Sequence, residues 1–82
     1  MNDFPSKTIV EAIRAAYPAD TRVELVSMKD PYSRLRPGAK GRVQFVDDIG
    51  TIFCRWDNGE GLGVVYGEDT IRKITEEDTN DN

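Results

Sequence analysis

The apolar positions change their period along the chain, and each change marks an element. Ile9, Ala12, Ile13 and Ala16 recur at spacings of three and four, which places them on one stripe of a short α-helix. Thr8 with Glu11 three residues on has the form of a capping box, and Ser6 is the alternative cap. Pro18 biases Tyr17 away from helical geometry, so the helix is predicted to stop near Ala16. Isolated helices shorter than about 12 to 15 residues are marginal in water, so this stripe must dock on the rest of the chain.

From Thr21 the period is two. Val23 and Leu25 alternate with Arg22 and Glu24, as in a half-buried strand. Residues 29–38 follow as a long irregular loop, with Asp30-Pro31 and Pro37-Gly38 as turn signals at its ends. Residues 40–46 resume strand character, and the adjacent apolar pair Phe45-Val46 points to a bulge or a strand end. Asp47-Asp48-Ile49-Gly50 reverses the chain. Residues 51–56 form the clearest strand, with Ile52, Cys54 and Trp56 on one face and Thr51, Phe53 and Arg55 on the other. Asp57-Asn58-Gly59 is a hairpin signal, residues 62–66 return as its partner strand, and a tight turn at Gly67-Glu68-Asp69-Thr70 leads to a last short strand at 71–74. The predicted fold class is mostly β: a small five-stranded SH3-like barrel with one short N-terminal α-helix, closed on itself to remove exposed strand edges. Its divisions are an N-terminal helical segment at 1–18, the β-barrel domain at 19–75, and an acidic, disordered tail at 76–82.

Length and composition narrow the function more than they identify it. A chain of 82 residues has room for one core, and at this size only about 60% of the unfolded surface is buried, so a deep catalytic cavity is not expected. Histidine is absent, which removes the usual general base, both common nucleophile pairs and the commonest metal ligand. Cys54 is the lone cysteine and cannot form an internal disulfide, which suits a reducing compartment. Asp3 stands where a secretory signal would carry positive charge, and no apolar run approaches the roughly 20 residues of a membrane span. A cytoplasmic, non-enzymatic protein with no cofactor, no metal and no membrane partner is the expectation, and a monomer is the simpler state.

The net charge of −4 is unevenly distributed. Acidic and basic residues balance up to position 75, so the excess belongs to Glu76, Glu77, Asp78 and Asp81. Within the body, Lys29, Arg34, Arg36, Lys40 and Arg42 face only Asp30, whereas Asp47, Asp48, Asp57, Glu60, Glu68 and Asp69 outweigh Arg55. A basic segment therefore precedes an acidic one, which predicts an electrically dipolar surface. Tyr32 lies inside the basic segment and offers a flat ring beside charges suited to phosphate, so Tyr32, Arg34, Arg36, Lys40 and Arg42 are the candidate partner-binding residues.

Other constellations read as structure. Cys54 and Trp56 share the phase of Ile52 and belong in the core. Gly59-Glu60-Gly61-Leu62-Gly63 lacks the Lys-Ser/Thr of a phosphate loop and reads as a hairpin. Asp47, Asp48 and Asp57 lack the alternating donors of a calcium loop and read as turn residues.

The spaced runs Tyr17-Pro18-Ala19-Asp20-Thr21-Arg22-Val23-Glu24-Leu25, Met28-Lys29-Asp30-Pro31-Tyr32, Pro37-Gly38-Ala39-Lys40-Gly41-Arg42-Val43, Val46-Asp47-Asp48-Ile49-Gly50 and Trp56-Asp57-Asn58-Gly59 resemble a bacterial and phage family, domain of unknown function 4314. The resemblance covers about residues 17–74 and implies a compact SH3-like β domain with no assigned activity. More loosely, Gly38-x-x-Gly41-x-Val43 resembles the KOW element of ribosomal and transcription proteins, although Asp47 and Asp48 at the next turn depart from it. Two functions follow as expectations. The first is a protein-interaction module with an unknown protein partner, and the alternative is a nucleic-acid-binding accessory domain of KOW-like type using the basic segment 29–42.

Overall fold

The computed structural model describes residues 5–29 and 34–75. Tyr32 and the predicted acidic tail therefore lie outside the described residues. Among those described, the order is α1 (Lys7–Ala16), β1 (Arg22–Ser27), β2 (Lys40–Val46), β3 (Ile52–Trp56), β4 (Gly61–Val64) and β5 (Thr70–Lys73). The five strands form one antiparallel sheet in the order β4-β3-β2-β1-β5. The class is as expected, mostly β with one short helix.

Closure is not. β4 and β5 are the two edges of the sheet and do not pair with each other. The cause lies in β4, which ends at Val64. The next turn is tied to itself, with the Glu68 and Asp69 amides donating to the Val65 carbonyl and the Val65 amide donating to Asp69. The chain then reaches β1, where Val23, Glu24 and Leu25 pair with Lys73, Arg72 and Ile71. An apolar hollow of about 370 Å³, lined by Ile13, Tyr17, Ile52, Val64, Tyr66 and Ile71 among others, lies between the unpaired edges.

Alternation sorts side chains to the two faces of the sheet. Val23, Leu25, Val43, Ile52, Cys54, Trp56 and Val64 form the buried inner face, and Leu35 from the long loop and Val46 complete the cluster. The in-phase set Ile52, Cys54 and Trp56 is buried as predicted. The irregularity signalled by the Phe45-Val46 pair is a bulge at Gln44, where the register with β3 shifts between Val43 and Phe45, and β2 ends at Val46. This bulge reverses the phase, so Val46 turns inward against Ile52 and Phe45 turns outward opposite Phe53.

The helix ends at Ala16 as predicted and takes the alternative of its two candidate caps, but its docking face differs from expectation. Ser6 is the N-cap, its hydroxyl accepting from the Ile9 amide at 3.3 Å, and Thr8 already stands within the helix. The docked side carries Val10, Ile13, Arg14 and Tyr17, whereas Ile9 is 37% exposed and Ala12 faces solvent. Two contacts set this rotation. Gly50, at φ +84°, lies so close that a β-carbon there would come within 3.6 Å of Val10 and 3.3 Å of Ile13. The Arg14 guanidinium donates to the carbonyls of Val46 and Asp47 at 3.1 and 3.0 Å. The stripe the helix uses thus has an arginine in it, which a hydrophobic pattern does not register.

Candidate functional site

The outer face of the sheet gathers five of the eleven Lys and Arg residues, Arg22, Lys40, Arg42, Arg55 and Arg72. Arg22 of β1 stands opposite Arg42 of β2, and Arg42 stands opposite Arg55 of β3, so three arginines lie in register across three neighbouring strands. Strand spacing puts their Cα atoms about 5 Å apart from one strand to the next. The row ends at Gly61 of β4, which adds no side chain beyond Arg55. One step along the sheet, Glu24 stands between Lys40 and Arg72 and is hydrogen-bonded to Arg72.

The three arginines are held differently. Arg22 is only 6% exposed and makes two parallel hydrogen bonds to the Asp57 carboxylate, at 2.8 and 2.6 Å. This fork-to-carboxylate geometry fixes both groups. The hydrogen bonds from Arg22 hold the Asp57 carboxyl below the usual carboxylate range, and the charges of Arg22, Arg42 and Lys40 add to the effect against a smaller desolvation penalty. Arg42 donates to the Asp20 carbonyl at 3.3 Å. The Arg55 side chain is exposed and makes no hydrogen bond or ion pair among the described residues.

On the same face, beside the Arg42–Arg55 pair, Phe45 and Phe53 are cross-strand partners. Their rings stack with centroids 4.8 Å apart and planes 19° from parallel. Phe53 lies against Gly63, where a β-carbon would come within 3.2 Å of the ring. Phe45 is 55% exposed, so the stack presents an aromatic surface to solvent.

The residues singled out from the sequence divide between two places. Lys40 and Arg42 belong to the outer face of β2. Arg34, Arg36 and Lys40 line a hollow of about 300 Å³ together with Leu35, Trp56, Asp57 and Asn58. Arg34 approaches Glu60 only to 3.9 Å with an exposed side chain, an ion pair that contributes little. Tyr32 lies outside the described residues. Arg22, Arg55, Phe45 and Phe53 were not singled out. Arg55 was hidden by the acidic residues around it in sequence, and Phe45 by the bulge.

The predicted dipole is redistributed in space. Arg55 comes from the acidic segment yet joins the basic row, while the aspartates of that segment serve turns and pairs. Asp47 accepts from the amides of Ile49 and Thr51 at 3.0 and 2.9 Å, Asp69 accepts from those of Lys29 and Val65, and Asp57 holds Arg22. For Asp47 and Asp69 this is turn chemistry, as the sequence suggested, whereas Asp57, although it stands in the hairpin turn, gives its carboxylate to Arg22.

Cys54 is 1% exposed, and burial pushes its thiol up to about 12. Because the thiolate is the reacting form, Ellman's reagent at pH 8 is expected to leave the native protein unmodified and to label it within minutes in 6 M guanidinium. Rapid stoichiometric labelling of native protein would contradict the burial.

No helix among the described residues is long and apolar enough to cross a membrane. No curated protein matches the chain. A family model does match, over residues 6–74, from the helix-capping serine to the end of the sheet, and so takes in α1 as well as the region of resemblance noted above. The chain belongs to the family described as Domain of unknown function (DUF4314).

Proposed function

We propose that the chain is a nucleic-acid-binding accessory module that uses the outer face of its sheet and catalyses nothing. The observation that carries this is the row Arg22–Arg42–Arg55, in register across three strands with Lys40 and Arg72 nearby on the same face. The Arg22 guanidinium is buried and neutralised by Asp57, so the groups that face a line of phosphates are those of Arg42 and Arg55, and phosphate contacts supply most of the affinity of non-specific binding. Arg22, fixed by Asp57, organises the row, and Arg42 and Arg55 are the phosphate-binding residues. A protein-interaction module remains the competing function. The basic row favours nucleic acid because an extended polyanion meets several of its charges at once, whereas an ordinary protein surface mixes both signs.

The experiment is fluorescence anisotropy with labelled oligonucleotides, starting at 20 mM salt. Binding is expected, with an affinity that falls steeply as salt rises. Arg42→Ala and Arg55→Ala should each weaken it and lower the salt slope by about 1. A variant with Glu76, Glu77, Asp78 and Asp81 replaced by their amides should bind more tightly, since the excess negative charge lies there. No binding at 20 mM salt by either the natural chain or the amide variant would overturn the proposal.

A further inference from the structure

We infer that the ligand of this face is a single strand, with a base stacked on Phe45 and the adjoining phosphates on Arg42 and Arg55. The inference rests on the nucleic-acid function above and deepens it. A duplex presents phosphates but keeps its bases stacked inside, so a flat apolar ring on the protein surface has nothing to meet. A single strand offers both faces of each base, and aromatic side chains on a positively charged surface are the usual means of holding it.

Three features make the Phe45 ring a stacking platform. The Gln44 bulge turns it outward from a strand whose alternation would otherwise bury it. Phe53 on the neighbouring strand stacks against it, with centroids 4.8 Å apart and planes 19° from parallel, and so holds the ring in place while Phe45 stays 55% exposed. Gly63, directly opposite Phe53 on β4, has no side chain to stand beside the stack, and a β-carbon there would come within 2.7 Å of the Thr51 methyl as well as meeting the Phe53 ring. The next cross-strand row holds Arg42, Arg55 and Gly61. Gly61 has nothing within 4 Å of where its β-carbon would stand, so the approach over β4 to the arginines is open. Aromatic surface and cations therefore stand in adjacent rows, as base and phosphate alternate along a strand.

The test is anisotropy on the full chain with four probes of twelve nucleotides: oligothymidine, oligouridine, a duplex, and an abasic oligodeoxynucleotide that keeps phosphates and loses bases. Oligothymidine or oligouridine is expected to bind at least tenfold more tightly than the duplex or the abasic strand. The better of the two reports which sugar the natural strand carries. Phe45→Ala should weaken the better single strand about tenfold, leave the abasic strand unchanged and keep the salt slope, since it removes stacking and no charge. Phe45→Leu keeps apolar bulk without a ring and should behave like the alanine variant, whereas Phe45→Tyr should bind as the natural chain does. Phe45 is exposed, and matching thermal unfolding curves will confirm that the variants fold. Equal affinity for single strand and duplex, or equal loss by Phe45→Ala on the abasic strand, would overturn the inference while leaving phosphate binding intact. Polyglutamate that displaces the single strand at equal charge concentration would overturn it too and assign the face to an acidic protein. No binding of any probe would remove the proposed function itself.

Discussion

Gly41→Ala is expected to destabilise the fold by about 3 kcal/mol or more, while Gly61→Ala, in the same sheet, is expected to change stability by less than about 1 kcal/mol. At position 41 an added β-carbon would stand 2.7 Å from the Arg55 carbonyl oxygen, 2.9 Å from Cε3 of Trp56 and 3.1 Å from the Trp56 Cα. Two of these obstacles are backbone and cannot swing aside without breaking the β2–β3 ladder. The third belongs to an indole that is 1% exposed and whose Nε1–H donates to the Leu62 carbonyl at 3.2 Å. Extra volume in a packed core usually costs about 1 to 3 kcal/mol, and rigid neighbours on both sides put this site at or above the top of that range. Gly61 has an ordinary φ, lies on an edge strand and has no atom within 4 Å of its missing β-carbon. Urea unfolding followed by Trp56 fluorescence measures both. A Gly41→Ala midpoint equal to that of the natural chain would refute the packing described for Trp56. A small fold has only about 5 kcal/mol or so in reserve, so the Gly41 variant should be substantially unfolded at 37 °C.

The same glycine shows where sequence pattern reaches its limit. The period-two run through Ile52, Cys54 and Trp56 was enough to place the inner face of β3, because burial follows alternation directly. The glycine at 41 was legible only as a residue of a turn entering a strand, since its role depends on a tryptophan fifteen positions away. The helix was legible in extent, because Pro18 limits it, but not in orientation. Gly50 and the carbonyls of Val46 and Asp47 decide which side docks, and they lie more than thirty residues on.

The candidate site was legible by halves. Lys40 and Arg42 stood out because they lie in a basic run, and both belong to the outer face. Arg55 did not, because local charge sums set it among aspartates, and only the strand register reveals that it stands opposite Arg42. Phe45 was obscured by the bulge. Alternation from Val43 puts it inside, and one extra residue puts it outside, since a shift of one inverts every side chain beyond it. The pair Phe45-Val46 signalled an irregularity without saying which member would turn out. Cross-strand register and phase are tertiary quantities, and the aromatic half of the face depends on both.

Asp57→Ala is expected to cost about 2 kcal/mol at pH 7, and the cost should disappear in acid. The Arg22 side chain is almost wholly buried, and two of its hydrogen bonds end on Asp57. Removing the acceptor of a buried charged donor costs about 1 to 3 kcal/mol or more. The partial exposure of Asp57 admits water and argues against the larger figures known for fully buried pairs. The pH dependence has a definite sign. The folded carboxyl titrates below its unfolded value because Arg22 donates to it, with Arg42 and Lys40 adding favourable charge. Its contribution is therefore complete above the unfolded value near pH 4, and is lost as pH falls through the lower folded value. Other carboxylates also titrate in this window, but they do so in both proteins, so the difference between natural chain and variant isolates Asp57. Urea midpoints at pH 7, 5, 4, 3 and 2 should show that difference constant down to about pH 5 and shrinking below it. Asp57→Asn keeps one acceptor for Arg22 and should lose less at pH 7, with a smaller dependence on pH. A gap between the natural chain and Asp57→Ala that stays the same from pH 7 to pH 2 would mean that Arg22 is not held by a charged partner. The basic row would then lack the anchor at its β1 end.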